Sequence, residues 1–457
     1  NYAVAVLSPG QGGTWDGVAW SRTTTLADAG PVEVLFAVKP VGMGGMPETV
    51  RASVWVVDDW TSPGNEPVDP QTYTREFGLP VMHILPDLPV SQSYGDATTW
   101  LDGVEYTSTV KIRGASSSDF PKNHFTMEFE PTQVDLGDYG LGRKDHLVLI
   151  STFDDNAYVR QKLVYDAWME MAAFRGTTPL TPRTAFIVVY LQGVYHGLYI
   201  AIDHIDDEFV GELGYDPDAN LYKSVSHDAN FWLTRNNGSP KSDLTSGWEK
   251  KEGPDEDWSD LEGLTQWAGS IDPATFAAQK DDWIETSEFI DWLLLVHHFA
   301  ANDSAGKNAY IYNAPLDQRF HYVPWDFNHA LGQDWRTLRV SADTHTHFEN
   351  RNAIFSHLVN EPGLATEVWA HYDALRAPGA PLAADRLLSL TDGYYELIHP
   401  SAQRDWLRWA EEYATFGRWA SQRQGDLLDY PGERAYMEQW ILDREAAMTS
   451  LHPVASP

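Results

Sequence analysis

The feature that most constrains this chain is a polar loop followed by a predicted β-hairpin and a second acidic residue. Asp303 and Asn308 lie in the loop, an aromatic hairpin spans 310–323, and Asp326 follows it. Asp and Asn are common in turns, so a purely structural role for each is one interpretation. The same order is typical of phosphoryl-transfer sites, in which one carboxylate orients a hydroxyl while the amide and the other carboxylate hold metal ions.

Composition limits what the chain can bind. It has 457 residues, enough for two or three domains, and a net charge of −34 from 66 acidic and 32 basic residues. Such an acidic surface disfavours nucleic acid and anionic lipid, so it serves solubility or a preference for a basic protein substrate. The sequence has no cysteine, which excludes disulfides and thiolate chemistry. No apolar run approaches the ~18 residues of a membrane span, so we expect none.

The order of predicted elements favours an α+β fold with two domains. Short strand-like runs with Gly and Pro turns predict a small β-sandwich-like N-terminal domain over 1–78, and a second domain spans 79–457. Within it, the polar segment 227–262 is interpreted as an exposed insertion or lid. Apolar periodicity predicts a helix over 286–301, directly before the Asp303 loop, and a mostly helical part over 350–452.

Four blocks of sequence, in order, resemble the CotH family of spore-coat-protein-H-like atypical protein kinases. They are the Ile112-Arg113-Gly114-Ala115-Ser116-Ser117 stretch with Pro121-Lys122, the Asp154-Asp155 and Tyr158-Val159-Arg160 pair of motifs, the Tyr190–Tyr199 run, and the region from Asn302 to Gly332. The resemblance covers about residues 80–452. It implies a divergent, minimal protein-kinase-like fold and ATP-dependent phosphorylation of Ser or Thr on a secreted or surface protein.

Carried over onto this sequence, the resemblance implies a role for each member of the loop–hairpin motif. Asp303 becomes the catalytic residue, and Asn308 and Asp326 become ligands of Mg²⁺ or Mn²⁺. Magnesium prefers oxygen ligands in an octahedral arrangement, which two protein oxygens, phosphate and water would supply.

The resemblance also implies a set of nucleotide-binding residues. Lys122 would pair with the ATP phosphates, with Arg113 near it and Asp203 as its acidic partner, where the family has Glu. A second departure is Ala115, which stands where the family has Asn. Arg160 is predicted either to contact phosphate or to form a buried ion pair with one of the acidic residues that precede it.

The remaining expectations concern location, partners and alternatives. We expect an extracellular or surface protein whose signal peptide has been removed, and we expect a monomer. The expected partner is a protein with Ser or Thr acceptors, and the acidic net charge of this chain favours a basic one. Two alternatives from other classes stay open. One is a nucleotide-binding pseudokinase or extracellular binding module, and the other is a glycoside hydrolase, which needs two carboxylates flanking a sugar bond.

Overall fold

The computed structural model describes residues 67–304, 306–315, 318–417 and 429–450, together with the backbone of Leu451 and of five strands before residue 57. Three of these early strands form an antiparallel sheet in the order β1-β4-β5, and the other two form a short ladder. They are β1 (Tyr2–Ser8), β2 (Thr14–Trp15), β3 (Trp20–Ser21), β4 (Gly30–Pro40) and β5 (Glu48–Val56). The predicted β-rich character of this region therefore has strands to support it, while a sandwich and a domain boundary at 78 stay predictions.

A sheet that closes on itself follows the N-terminal strands. Its strands are β6 (Arg75–Glu76), β7 (Leu79–Pro86), β8 (Gly95–Leu101), β9 (Val104–Arg113), β10 (His124–Phe129), β13 (His146–Ile150), β14 (Thr184–Leu191) and β15 (Val194–Asp203). The order is β14-β15-β13-β10-β9-β8-β7-β6, and β7 also pairs in parallel with β14. Seven strands thus form a closed barrel, to which β6 is appended. The short strands β11 (Val134–Leu136) and β12 (Gly142–Lys144) pair beside it.

Alternating apolar residues fill the inside of this barrel. On β10, Phe125, Met127 and Phe129 are buried at every second position, as the strand period of two requires. They belong to a cluster that also contains Val110 from β9 and Leu149 from β13. The interior is therefore a packed core, and any binding site must lie at the barrel's rim or outside it.

A second, four-stranded antiparallel sheet carries the predicted loop and hairpin. Its strands are β16 (Leu221–Ser224), β17 (Trp248–Glu252), β18 (Ala309–Ala314) and β19 (Arg319–Pro324), in the order β17-β16-β18-β19. Strand β17 lies within the predicted insertion 227–262, where Phe231 and Trp248 are also buried. This segment therefore contributes an edge strand and core side chains, in addition to its exposed turns.

Helices pack around both sheets and make up the C-terminal part. They are α1 (Arg160–Arg175), α2 (Asp207–Glu212), α3 (Ser259–Ser270), α4 (Pro273–Gln279), α5 (Thr286–His298), α6 (Ala353–Asn360), α7 (Pro362–Leu375), α8 (Ala384–Thr415) and α9 (Tyr430–Leu451). The α+β class and the helical C-terminal part are confirmed. Within the described ranges, every helix is too short or too polar to cross a bilayer.

Helix α5 fixes the position of the Asp303 loop. Nearly all of its side chains are buried, and Trp292 stacks on Tyr322 of β19, with ring centroids 4.9 Å apart and ring planes 8° apart. Because α5 is anchored to the hairpin in this way, the loop that leaves its C-terminal end at His298 is held against the start of β18.

Candidate active site

The predicted site residues meet at a polar cavity of about 260 Å³ between the barrel and the second sheet. The end of β9 and the turn after it form one wall, the loop between β13 and α1 forms another, and the second sheet supplies the rest. Its lining includes Arg113, Asp154, Gln161, Lys223, Asp303, Lys307, Asn308, Asp326, Asn328 and His329, and also Gly114, Ala115, Ser116 and Ser117. Four of the predicted site residues, Arg113, Asp303, Asn308 and Asp326, are therefore brought together.

Strand register explains why Asn308 and Asp326 meet. Ala309 pairs with Pro324, so the residues just outside the hairpin's open end are neighbours. Both Asn308 and Asp326 adopt left-handed backbone, with φ of +57° and +63°. Asn and Asp tolerate this conformation better than other residues with a side chain, which is one local reason for their presence here. The backbone N–H of Asp326 donates to the Tyr165 hydroxyl at 3.0 Å, which fixes the turn.

Asp303 is held by several donors. Its carboxylate accepts from the Asn308 amide at 3.1 Å and pairs with the Lys307 ammonium at 3.0 Å. His329 lies beside it, with Nδ1 3.9 Å from Asp303 Oδ2. Burial by itself would raise the pKa of Asp303, but hydrogen bonds and charge from His329 and Lys307 hold it below its usual range. Asp303 therefore stays ionised and fixed in orientation across the physiological range.

Asp326 differs from Asp303 because its carboxylate accepts no hydrogen bond from any residue that the structure describes. Burial raises the pKa of Asp326, and the nearby Asp303 and Asp154 charges raise it further, against an opposing effect of His329. An unpartnered, half-buried carboxylate is costly unless something else compensates its charge. A bound cation would supply that compensation.

Three further acceptor oxygens in the same cavity lack donors. They are Asp154 Oδ1, Gln161 Oε1 and Asn328 Oδ1, each buried and without a hydrogen-bond partner in the described part of the chain. Buried acceptors are normally satisfied, so a group of orphaned ones needs an explanation. Together with Asp326 they form an all-oxygen donor set, which suits a hard divalent cation such as Mg²⁺ or Mn²⁺. The residues present therefore fit the predicted metal.

His329 links Asp154, a member of this oxygen set, to the neighbouring Asp303. Its Nε2 lies 3.1 Å from Asp154 Oδ2, and Asn328 donates to the same oxygen at 2.6 Å. Burial alone would lower the pKa of His329, but hydrogen bonds to Asp154 and Asp303 raise it to about 10. The imidazolium therefore orients Asp154 and Asp303 while offsetting part of their charge.

Basic side chains face the oxygen set across the cavity. Lys223, on β16, lies 5.5 Å from the centroid of the Tyr310 ring and 5.7 Å from that of Trp325. Its ammonium has no hydrogen bond or ion pair with any described residue. Burial and the nearby Arg113 lower the pKa of Lys223 to about 8. Arg113 is similar, since its Nη1 is buried without an acceptor. These cations are free to bind an anion.

The structure does not bring Lys122 and Asp203 together as the resemblance implied. The Lys122 side chain is fully buried and pairs with Asp405 at 2.7 Å, outside the cavity lining. Asp203 instead accepts from Arg183 Nε at 2.9 Å and pairs with Lys144 at 3.1 Å. As placed, neither side chain can contact a ligand in the cavity unless its ion pairs open.

Arg160 lies in the predicted ion pair. Its guanidinium pairs with Asp155 at 2.6 Å and with Glu433 of α9 at 2.7 Å, and its side chain is fully buried. The prediction of a buried ion pair is confirmed, with Asp155 as the partner. Arg160 joins the loop before α1 to the C-terminal helix and does not line the cavity.

Sequence reasoning missed several cavity residues. No sequence pattern marks Lys223, because it is a single Lys on a short strand, and none marks Gln161 in α1. The run Asp326-Phe327-Asn328-His329 did carry a signal, since polar residues cluster there directly after an apolar strand. What the sequence could not show is that Asp154, far away in the chain, completes the same cavity.

The fold and the site define an α+β protein with a polar cavity, in which oxygen ligands suited to a cation face unpaired basic side chains. Comparison with known proteins supplies the family: the chain belongs to the CotH family, described as CotH kinase protein, which matches residues 110–448. A relative is the inner spore coat protein H of Bacillus subtilis (strain 168), 24% identical over 253 residues. That match spans 55% of this chain and 66% of the relative, just under two thirds of its length.

Proposed function

We propose that this chain is an atypical protein Ser/Thr kinase that transfers the γ-phosphoryl group of ATP with the help of Mg²⁺ or Mn²⁺. The observation that carries the proposal is that unpaired acceptor oxygens and unpaired basic side chains line the same cavity. Asp326 and three orphaned oxygens need a cation, while Lys223 and Arg113 need an anion. A metal-bound polyphosphate satisfies both needs at once.

In this proposal each residue has a defined task. Asp326 and Asn308, with the three orphaned oxygens, would hold the metal, which when bound would offset the phosphate charge. Lys223 and Arg113 hold the phosphate oxygens. Asp303 accepts a hydrogen bond from the substrate hydroxyl and so orients the hydroxyl oxygen toward the γ-phosphorus. A new O–P bond forms as the bond to the bridging oxygen breaks, ADP leaves with that electron pair, and the hydroxyl proton passes through Asp303 to water.

The ionised state of Asp303 suits this role. A carboxylate whose pKa lies below its usual range is a weak base, but phosphoryl transfer depends mainly on positioning and on charge stabilisation. The donors around Asp303 supply the positioning. The turn over residues 114–117, which lines the cavity without any standard Gly-rich kinase motif, covers the phosphate position in this proposal.

The proposed substrate and location rest on the net charge of the chain and on its similarity to a relative. With a net charge of −34, the protein attracts basic proteins, so we propose a Ser- or Thr-containing protein with basic segments as the acceptor. Because a relative is named as an inner spore coat protein, we propose a coat or surface location, and a divergent kinase fold for the family domain.

The test is transfer of label from γ-labelled ATP with Mg²⁺ or Mn²⁺ to the protein itself or to a basic Ser-containing acceptor. We expect Asp303→Asn and Asp326→Asn each to lower the rate by about 10²–10³-fold or more, as removal of a fixed charge-stabilising group does. Asp138→Asn is the matched control, because Asp138 is exposed and lies outside the cavity. An equal rate in all four proteins would contradict the proposal.

A second candidate function is a nucleotide-binding pseudokinase, and one observation favours it. The phosphate-binding Lys–acidic pair expected of active kinases does not form, since Lys122 pairs with Asp405. Thermal stabilisation by ATP and metal without any label transfer, lost in Asp326→Asn, would favour this function over catalysis.

A further inference from the structure

Three potential metal ligands converge at the edge of the barrel, apart from the cavity described above. His146 begins β13, His204 directly follows β15, and Asp206 precedes α2. The register pairs Leu147 with Asp203, so the antiparallel strands place His146 opposite His204. The two imidazole rings have their centroids 5.3 Å apart. One ligand atom from each of the three residues lies within 4.8 Å of the others.

The shared carboxylate is oriented toward both rings. Asp206 Oδ1 caps α2 by accepting from the Phe209 N–H at 3.1 Å. This leaves Asp206 Oδ2 to face the histidines, 2.8 Å from His204 Nδ1 and 3.4 Å from His146 Nδ1. Two ligands of a tetrahedral ion with bonds of ~2.1 Å lie about 3.4 Å apart, so only small shifts would admit an ion.

The surroundings of this cluster favour added positive charge. Asp145 Oδ1 lies 3.2 Å from His146 Nδ1, yet it is buried without a hydrogen bond. Glu128 Oε1 lies 3.6 Å from His146 Nε2. The simpler interpretation is a hydrogen-bonded cluster of imidazoles and carboxylates that holds no ion. A dication satisfies the same charges with direct bonds, and it leaves a further coordination position open.

We propose that His146, His204 and Asp206 form a second metal site, for a transition-metal ion such as Zn²⁺ or Co²⁺. Imidazole nitrogens select these ions over Mg²⁺, which prefers oxygen ligands, so this site differs in chemistry from the cavity around Asp326. The ion joins β13 to the β15–α2 junction. His204 also lines a neighbouring cavity of about 440 Å³ that shares Arg113 and Lys223 with the candidate active site, so the ion would fix a wall of that cavity.

Cobalt titration of the metal-stripped full chain tests this site. We expect one Co²⁺ per chain with visible d–d absorption of nitrogen-ligated cobalt, competed by Zn²⁺. His146→Ala and His204→Gln should each weaken binding by at least ~10-fold, since even outer-shell changes cost metal sites that much. Asp206→Asn should also weaken binding. This variant should keep the fold, because Asn caps helices as Asp does, so a loss of binding in it cannot be attributed to misfolding.

Two controls make the result decisive. Asp326→Asn, in the candidate active site, should keep the cobalt absorption, and so should His347→Ala, in the separate cluster of His345, His347 and Glu349. The proposal is overturned if wild type binds no Co²⁺ or Zn²⁺, or if the absorption persists in Asp206→Asn and His204→Gln. Loss in His347→Ala alone would assign the ion to that other cluster and would also overturn it. Because the readout is metal binding, failure here leaves the kinase proposal intact.

Discussion

Two lysines of this protein, one buried and one partly buried, have opposite surroundings. Lys122 is fully buried, pairs with Asp405 at 2.7 Å and also donates to the Leu198 carbonyl oxygen at 2.7 Å. Lys223 lies near the rings of Tyr310 and Trp325 and has no anionic partner among the described residues. The first lysine is satisfied by the protein, and the second is not.

The chain is shaped to make the first pair possible. Gly197 passes directly beside it, and a Cβ there would lie 2.3 Å from Asp405 Oδ1 and 2.7 Å from Lys122 Cε. No side chain fits in that space, so glycine is required by packing. The comparison teaches that burial of a lysine does not by itself indicate ligand binding. The absence of an internal partner, in a cavity with other unpaired groups, is the more informative sign.

The largest expected effect is on stability, from Lys122→Met. Removing one partner of a buried ion pair leaves the other charge uncompensated, which costs about 3–5 kcal/mol. Chemical denaturation should show this loss in the free energy of unfolding, and Lys122→Met combined with Asp405→Leu should recover much of it. The matched control is Arg143→Met, whose pair with Asp135 is exposed and screened by solvent, so its loss should leave the free energy of unfolding nearly unchanged. Unchanged stability together with lost ATP binding would instead give Lys122 the nucleotide role that the family resemblance implied.

A smaller effect, on ligand affinity, is expected from Lys223→Met. The variant should keep the stability of the wild type, or exceed it, because it removes an unpaired, partly buried charge. Its Kd for ATP with Mg²⁺ should rise by about 10–100-fold, or about 1.4–2.8 kcal/mol, the range of a charge-assisted hydrogen bond. Calorimetric titration measures this, with Lys280→Met as a control outside the cavity. A large loss of stability with unchanged affinity would reverse the comparison between the two lysines.

The smallest effect is a pH dependence of ATP binding. Burial lowers the pKa of Lys223 to about 8. The side chain is therefore mostly protonated below that pH and mostly neutral above it. Affinity for ATP should therefore be level below pH 8 and then fall by up to ~10-fold per pH unit. Lys223→Arg should remove this fall, because the guanidinium stays charged. A fall of the same size in that variant would assign the titration to another group.

Much of the local structure could be predicted from the sequence, because its signals are local. Apolar periodicity over 286–301 predicts α5, which spans Thr286–His298, and the apolar residues at 125, 127 and 129 alternate in the sequence as they do along β10. The Gln192-Gly193 pair is a local hairpin signal in the sequence, and both residues have positive φ in the turn between β14 and β15. The 310–323 hairpin was also predicted, and its register then accounts for the meeting of Asn308 and Asp326.

What could not be predicted depends on pairs far apart in the chain. The Lys122–Asp405 pair joins a loop of the barrel to α8, and no pattern in either segment indicates the other. The same holds for the closing of the barrel, which needs β7 beside β14, and for Asp154 beside His329. Long-range partners decide whether a charged residue is structural or available to a ligand, so the role of Lys122 was the hardest to infer.

The parallel pairing of β7 with β14 has a consequence for which fragments of the protein can fold. The family match begins at residue 110, inside β9, whereas the barrel needs β7, β8 and all of β9. A fragment that starts at 110 would leave β14 without β7 and the remaining part of β9, residues 110–113, without β8, and unpaired edges are sites of aggregation. The shortest fragment of this region that retains a closed barrel therefore starts ahead of Leu79, well before the segment by which the family is identified.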